Sequence, residues 1–238
     1  MYHTLIVMNR QLVNPKRYLD EKGLNHKIPK RIVIAYAYSV GLAMATELKL
    51  QRNTHWNRGE LYTDNKNTIG LLLNIGLGGP ALAMFLHEGK NLGVKEVILL
   101  GIAGSMKKQT PQGSLLRITS AYAEDGVSIH YGITQGLKIC PKNSINISKL
   151  NELDATCVST SAPYMEDVKF FNRFSKIADC VDMESSVLFA VCNHLKLKSA
   201  SYLVINDTLL RNKWVFPSDT LKTKIVLRDT LKILLKSR

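Results

Sequence analysis

Two acidic stretches and two glycine clusters carry the side chains that could do chemistry in this chain. Asp182-Met183-Glu184 stands immediately before Ser185–Cys192, a small, apolar run without Pro or Gly that reads as a buried helix. A carboxylate in the first turn of a helix is favoured by the helix dipole. One held against an apolar segment also needs a partner, because an unpaired buried charge is costly. Two readings follow. Asp182 or Glu184 caps the helix, or Glu184 points into a pocket and accepts hydrogen bonds from ligand hydroxyls; the pattern by itself favours the cap. The second acid, Asp207, follows an apolar strand at 200–205. It is either a turn or cap residue before Thr208 or an acid delivered to a strand end, where burial would raise its pKa. The glycines are Gly76, Gly78 and Gly79, then Gly101 and Gly104. Glycine-lined loops let a ligand come close to backbone.

The elements that must position these residues form a strand–loop–helix–strand unit. The pattern predicts a buried strand at 69–75, a loop at 76–80, a helix at 81–92 closed by Gly93, a strand at 94–100 and a second glycine-bearing loop at 101–105. Parallel strands need such a crossover, and ligands of open α/β sheets bind beyond the carboxyl ends of the strands. Before this unit, a strand at 31–36 leads into a helix from Val40. After it, short strands are predicted at 114–121 and 157–161. A last amphipathic helix spans 218–236, with Leu221, Ile225, Leu227, Leu231 and Leu234 inward. Residues 1–30 read as an irregular N-terminal segment with one short strand at 5–8, and 31–238 as a single domain. Gly76-x-Gly78-x-x-Ala81 resembles a dinucleotide fingerprint, but the next strand ends without the acid that would hold a ribose hydroxyl. A Rossmann cofactor site is not expected.

Composition narrows the classes. The 238 residues are 45% hydrophobic and 21% charged, a globular balance. The four cysteines, Cys140, Cys157, Cys180 and Cys192, form no C-x-x-C pair, and the six histidines form no H-E-x-x-H. No metal site and no disulfide framework are therefore expected. The net charge is +13, but Lys and Arg are spread along the chain instead of clustering with aromatics, so a nucleic-acid partner is disfavoured. The N-terminal apolar run is too short for a signal peptide and 32–45 falls short of a membrane span. A soluble cytoplasmic protein is the expectation.

Four blocks, at 74–105, 121–132, 181–192 and 204–210, together resemble the nucleoside phosphorylase and nucleosidase superfamily in order and spacing, and the resemblance extends over roughly residues 31–238. It implies a three-layer α/β fold with a central mixed sheet flanked by helices, and cleavage of the N-glycosidic bond of a nucleoside, as in purine salvage. It also implies roles. Glu184 would hold the ribose hydroxyls and Met183 would pack on the sugar. Asp207 would protonate the departing purine, Ala103 and Gly104 would line the base pocket with Gly78 nearby, and Tyr164 would stack on the base. Members of the family form homo-oligomers, dimers or hexamers, and His3 resembles in position a histidine some of them insert into a neighbour's sugar site. No organic cofactor is implied, only inorganic phosphate as co-substrate of a phosphorylase.

The chain also departs from the family. Leu99 stands where phosphorylases carry an arginine, Ile102 where a Ser or Thr helps bind phosphate, and Tyr36-Ala37-Tyr38-Ser39 where they carry Gly-Asp-Pro and another arginine. Arg58 and Ser105 are the remaining candidates for phosphate. The glutamate with which hydrolytic members activate water is missing after the same strand. Uracil-specific members carry a Gln and an Arg where this chain has 165–169, so a purine-type base is expected. Phosphorolysis leads, because the first glycine block and 123–128 look phosphorylase-like. A hydrolytic nucleosidase and a non-catalytic nucleoside-binding member are the alternatives.

Overall fold

The computed structural model describes residues 12–56 and 58–237. The strand expected at 5–8 and His3 lie outside the described residues. The layering is visible in one strand, β1 (Arg31–Ala35). Alternate residues of a strand point to opposite faces. Ile32 and Ile34 join a buried cluster with Leu82, Phe85, Leu86 and residues 187–192. Val33 and Ala35 join another with Met44, Ala45, Leu227, Leu231 and Leu234. A sheet buried on both faces lies between two helical layers, so the chain is a three-layer α/β structure.

In chain order the elements are α1 (Pro15–Glu21), β1, α2 (Tyr38–Glu47), β2 (Gln51–Arg52), β3 (Glu60–Thr63), β4 (Gly70–Leu73), α3 (Gly79–Asn91), β5 (Glu96–Ser105) and β6 (Leu115–Glu124). There follow β7 (Lys138–Ile139), β8 (Leu153–Thr160), α4 (Val168–Phe174), β9 (Cys180–Asp182), α5 (Ser185–Leu195), β10 (Lys198–Leu210), β11 (Lys213–Val215) and α6 (Leu221–Lys236). Helices α3 and α5 supply one layer, α2 and α6 the other. The sheet is mixed. β1 pairs in parallel with β4 and β5, and β5 in parallel with β10, whereas β5–β9 and β10–β6 are antiparallel. Parallel β6–β8 and β8–β9 pairs complete a ring in which β5, β10, β6, β8 and β9 close on themselves. Closure removes the free edges of these strands.

Several expectations need correction. The stretch 101–105 is no loop but the end of β5, with β10 on one side and β9 on the other. Neighbouring strands on both flanks satisfy its backbone, which the local glycine signal could not reveal. Asp207 likewise lies inside β10 and is not a turn residue. The N-terminal segment is not wholly irregular: α1 begins with Asn14, whose side chain accepts a hydrogen bond from Arg17 N, and buries Leu19. In α6, Leu227, Leu231 and Leu234 are buried as expected, but Leu221 and Ile225 face solvent. Cys157, Cys180 and Cys192 are buried free thiols. No helix among the described residues is long and apolar enough to cross a membrane.

Candidate active site

A cavity of about 460 Å³ opens where the ring strands end. Its floor is Gly101–Gly104 of β5, and its walls carry Val181–Glu184 and Asp207. Tyr36, Leu77, Pro163, Tyr164, Glu166, Leu209 and Trp214 complete it.

Asp182 and Glu184 divide the work that the sequence left ambiguous between them. Asp182 is the capping group. It accepts from Ser185 N at 2.9 Å and from the Ser185 hydroxyl, while its other oxygen accepts from Ser159 Oγ at 2.6 Å. Burial raises its pKa and these donors oppose the rise. Glu184 occupies the N-cap position by backbone, yet its side chain makes no cap hydrogen bond. It reaches across to Gly78, whose N–H donates to Glu184 Oε1 at 2.7 Å. Burial, with the Asp182 charge behind it, pushes the Glu184 carboxyl up to about 7, against the pull of the backbone N–H donors. Gly78 serves that bond with φ at +84°, a conformation L side chains rarely adopt. The first glycine loop therefore holds the carboxylate, and its Gly78 N–H is already committed.

Asp207 owes its aim to a β-bulge. The β10–β5 register shifts between Ile205 and Asp207, and a bulge re-aims a side chain. Trp214 Nε1 donates to Asp207 Oδ2 at 2.5 Å. Gly104 leaves room for the carboxylate: a Cβ built there would stand 3.0 Å from Oδ2. Ala103 is buried in the floor and Met183 lines the wall beside Glu184. Tyr164 lies on the rim, 90% exposed, on the 3-10 turn Pro163–Met165.

The two phosphate candidates are not in the cavity. Arg58 is held by Glu88 through a two-pronged ion pair, Nε–Oε2 2.8 Å and Nη2–Oε1 2.6 Å. It lines a separate hollow with Tyr18, Met84, His87 and Tyr131. Ser105 is buried and spent on Lys107, donating to its carbonyl at 2.8 Å and accepting from its N–H at 3.0 Å. Within the single chain, then, Arg58 pairs with Glu88 and Ser105 with Lys107. Leu99 is fully buried in the core, whereas Ile102 is 48% exposed and lines the cavity. No Lys, Arg or His stands among the described residues that line it.

Three lining residues escaped the sequence reading. Tyr36, at the end of β1, has a buried hydroxyl without a hydrogen-bond partner among the described residues. Burial pushes its phenol pKa up, and Glu184 and Asp182 push it further. Trp214 comes from β11, opposite Leu209. Glu166 ends the Pro163–Met165 turn, and burial together with Asp207 pushes its carboxyl up to about 7. A lone Glu in a polar stretch gives no sequence signal; only the ring closure brings it to Asp207.

The sequence description of the Phosphorylase superfamily matches residues 33–236. Among solved structures, purine nucleoside phosphorylase from Toxoplasma gondii is similar with a TM-score of 0.72, at 18% identity over 88% of this chain and 91% of that one. Uridine phosphorylase from Vibrio fischeri gives 0.69, at 18% identity over 87% and 90%. AMP nucleosidase from Bacteroides thetaiotaomicron gives 0.68, at 18% identity over 93% and 97%. These likenesses concern the fold. Uncharacterized protein R802 of Acanthamoeba polyphaga mimivirus is 25% identical over 134 residues, 56% of this chain. The chain spans about half the length of that relative, 54%.

Proposed function

The chain belongs to the phosphorylase superfamily, and from that footing we propose that it cleaves the N-glycosidic bond of a purine-type nucleoside, with water as acceptor. The observation that carries the reading is a cavity in which Glu184 and Asp207 both stand and no cation does among the described lining residues. Cleavage builds positive charge on the sugar and negative charge on the departing base. Carboxylates around the sugar suit the first change. A proton given by Asp207 to the base nitrogen suits the second, with a general-acid contribution of ~10²–10⁴-fold. Glu184 accepts from the ribose hydroxyls, Met183 packs on the sugar, and Tyr164 with Trp214 flanks the base. The Tyr36 hydroxyl, without a partner among the described residues, donates to the attacking water or to a sugar oxygen. As the C1′–N bond breaks, water bonds to C1′. Its proton passes to Glu184, whose carboxyl titrates at about 7.

Phosphate as acceptor would need a guanidinium or an equivalent set of donors. Arg58, Ser105 and the Gly78 N–H are all engaged elsewhere. Water is the acceptor that these lining groups favour. The test is base release from purine nucleosides with and without inorganic phosphate, in the wild type and in Asp207→Asn. We expect release that is indifferent to phosphate and falls at least ~10²-fold in the variant. A pentose 1-phosphate product would overturn the choice of water. No release combined with no nucleoside binding would overturn the reading altogether.

A further inference from the structure

The two oxygens of Asp207 stand in different surroundings. Oδ2 faces protein: Trp214 Nε1 donates to it at 2.5 Å, and a Cβ built on Gly104 would stand 3.0 Å from it. Oδ1 accepts no hydrogen bond among the described residues, and Asp207 lines the cavity. The indole is held by the same hairpin that carries the acid. Strands β10 and β11 pair antiparallel, with Thr208 opposite Val215 and Leu209 opposite Trp214. The indole packs on Phe216, ring centroids 4.1 Å apart. Trp214 is itself 52% exposed, so little of the core rests on it. The bulge that aims Asp207 and the strand that returns Trp214 to it are thus parts of one element.

An indole N–H donates and cannot accept. With that N–H aimed at Oδ2, Oδ2 is the acceptor, and a proton on the carboxyl belongs on Oδ1. We propose that Trp214 is a positioning residue that acts through Asp207: its N–H places the transferable proton on Oδ1, turned to the base. The inference rests on the nucleoside-cleaving reading above, in which Asp207 protonates the base. In the reacting step the C1′–N electron pair passes to the base and the Oδ1 proton passes to a base nitrogen. Water bonds to C1′ and gives its proton to Glu184. Asp207 is left ionised, its charge shared by Oδ2. A hydrogen bond to an ionised acceptor is roughly twice as strong as one between neutral groups. The Trp214 bond therefore strengthens as the proton leaves, and an interaction stronger in the transition state than in the ground state raises kcat.

The experiment compares Trp214→Phe, which keeps an aromatic face and removes the N–H, with Trp214→His, whose Nε2–H replaces it. It is run at pH about 8, where a free imidazole is neutral. One substrate is adenosine or inosine, whichever the wild type cleaves faster; its base leaves with the help of a proton. The other is p-nitrophenyl β-D-ribofuranoside, whose nitrophenolate leaves without one. Trp214→Phe should lower kcat for the nucleoside by ~10-fold or more, with KM little changed, and should spare the nitrophenyl riboside. Trp214→His should recover most of that loss. In Asp207→Asn, where no carboxyl proton remains to be placed, adding Trp214→Phe should cost less than about 2-fold. Equal losses on both substrates, an effect confined to KM, or a full further loss in the Asp207→Asn background would reduce Trp214 to a wall of the cavity. Each overturns the proposal and leaves nucleoside cleavage standing. Circular dichroism separates these outcomes from a chain that has not folded; Trp214→Leu then takes the place of Trp214→Phe. If the wild type cleaves neither substrate, the functional reading fails first and the proposal with it.

Discussion

Glu184 shows how a side chain can turn away from the place its sequence context suggests. It stands where a helix cap belongs, and the cap is made by Asp182 two residues earlier. Composition could place a carboxylate at the helix start. Only the 2.7 Å bond to Gly78 N–H turns it toward the cavity. Tyr36, Glu166 and Trp214 were illegible for a similar reason: their types are ordinary, and their meeting depends on ring closure. Arg58 and Ser105 have residue types that suit an anion, and within this chain their partners are Glu88 and Lys107. The position of Glu184 has a thermodynamic consequence. Its carboxyl is raised from 4.5 to about 7 in the fold, so across that window the native chain binds more protons than the unfolded one. Stability linked to Glu184 is therefore lost as pH rises through the window, by roughly 3 kcal/mol in full. Denaturant unfolding of Glu184→Gln should show the variant gaining on the wild type as pH rises from about 5 to about 8. A gap that does not change with pH would contradict this.

At the scale of elements, the start of α5 is the junction that matters most. Asp182 satisfies Ser185 and Ser159, Ser159 accepts from Ser186 N, and Ser186 donates to Asp125. Each of these groups is buried. Asp182→Ala leaves several donors without an acceptor at once, and we expect a loss of about 2–4 kcal/mol, read by thermal or denaturant unfolding. A change under about 0.5 kcal/mol would mean that water replaces the carboxylate. The hydrophobic runs and their punctuation made most elements legible, including the α3 crossover and the buried α5. Their ends were less so. β5 and β10 each continue beyond their apolar runs, through Gly101–Ser105 and Asp207, because they pair with each other. Local pattern carries no trace of a partner some hundred residues away. The short helix α1 was missed because Pro15 reads as punctuation, although Pro fits the first helical turn.

For the molecule as a whole, charge is distributed against the net value. The chain carries +13, yet the candidate cavity is lined by Asp182, Glu184, Glu166 and Asp207 with no cation among its described residues. Positive side chains gather elsewhere, as Arg31, Lys49, Lys66 and Lys236 do around a hollow of about 930 Å³. The bulk charge that first suggests nucleic acid is thus a property of other surfaces. A nucleoside 5′-monophosphate would bring its anion among carboxylates, so it should be cleaved at least ~10-fold less efficiently than the parent nucleoside; parallel kcat/KM measurements decide, and equal efficiency would refute the expectation. The three-layer class was legible from alternating strands and helices. The closed ring was not, since closure depends on which strands meet. That ring also bears on the order of events in folding. The Gly78–Glu184 bond joins residues 106 positions apart, and the cavity draws on segments from Tyr36 to Trp214. Distant pairings form slowly, because chain closure must come before they are rewarded. Helices α3 and α5 can form from local contacts, whereas the cavity exists only when the last strands arrive. A nascent chain acquires its helices first and this cavity last.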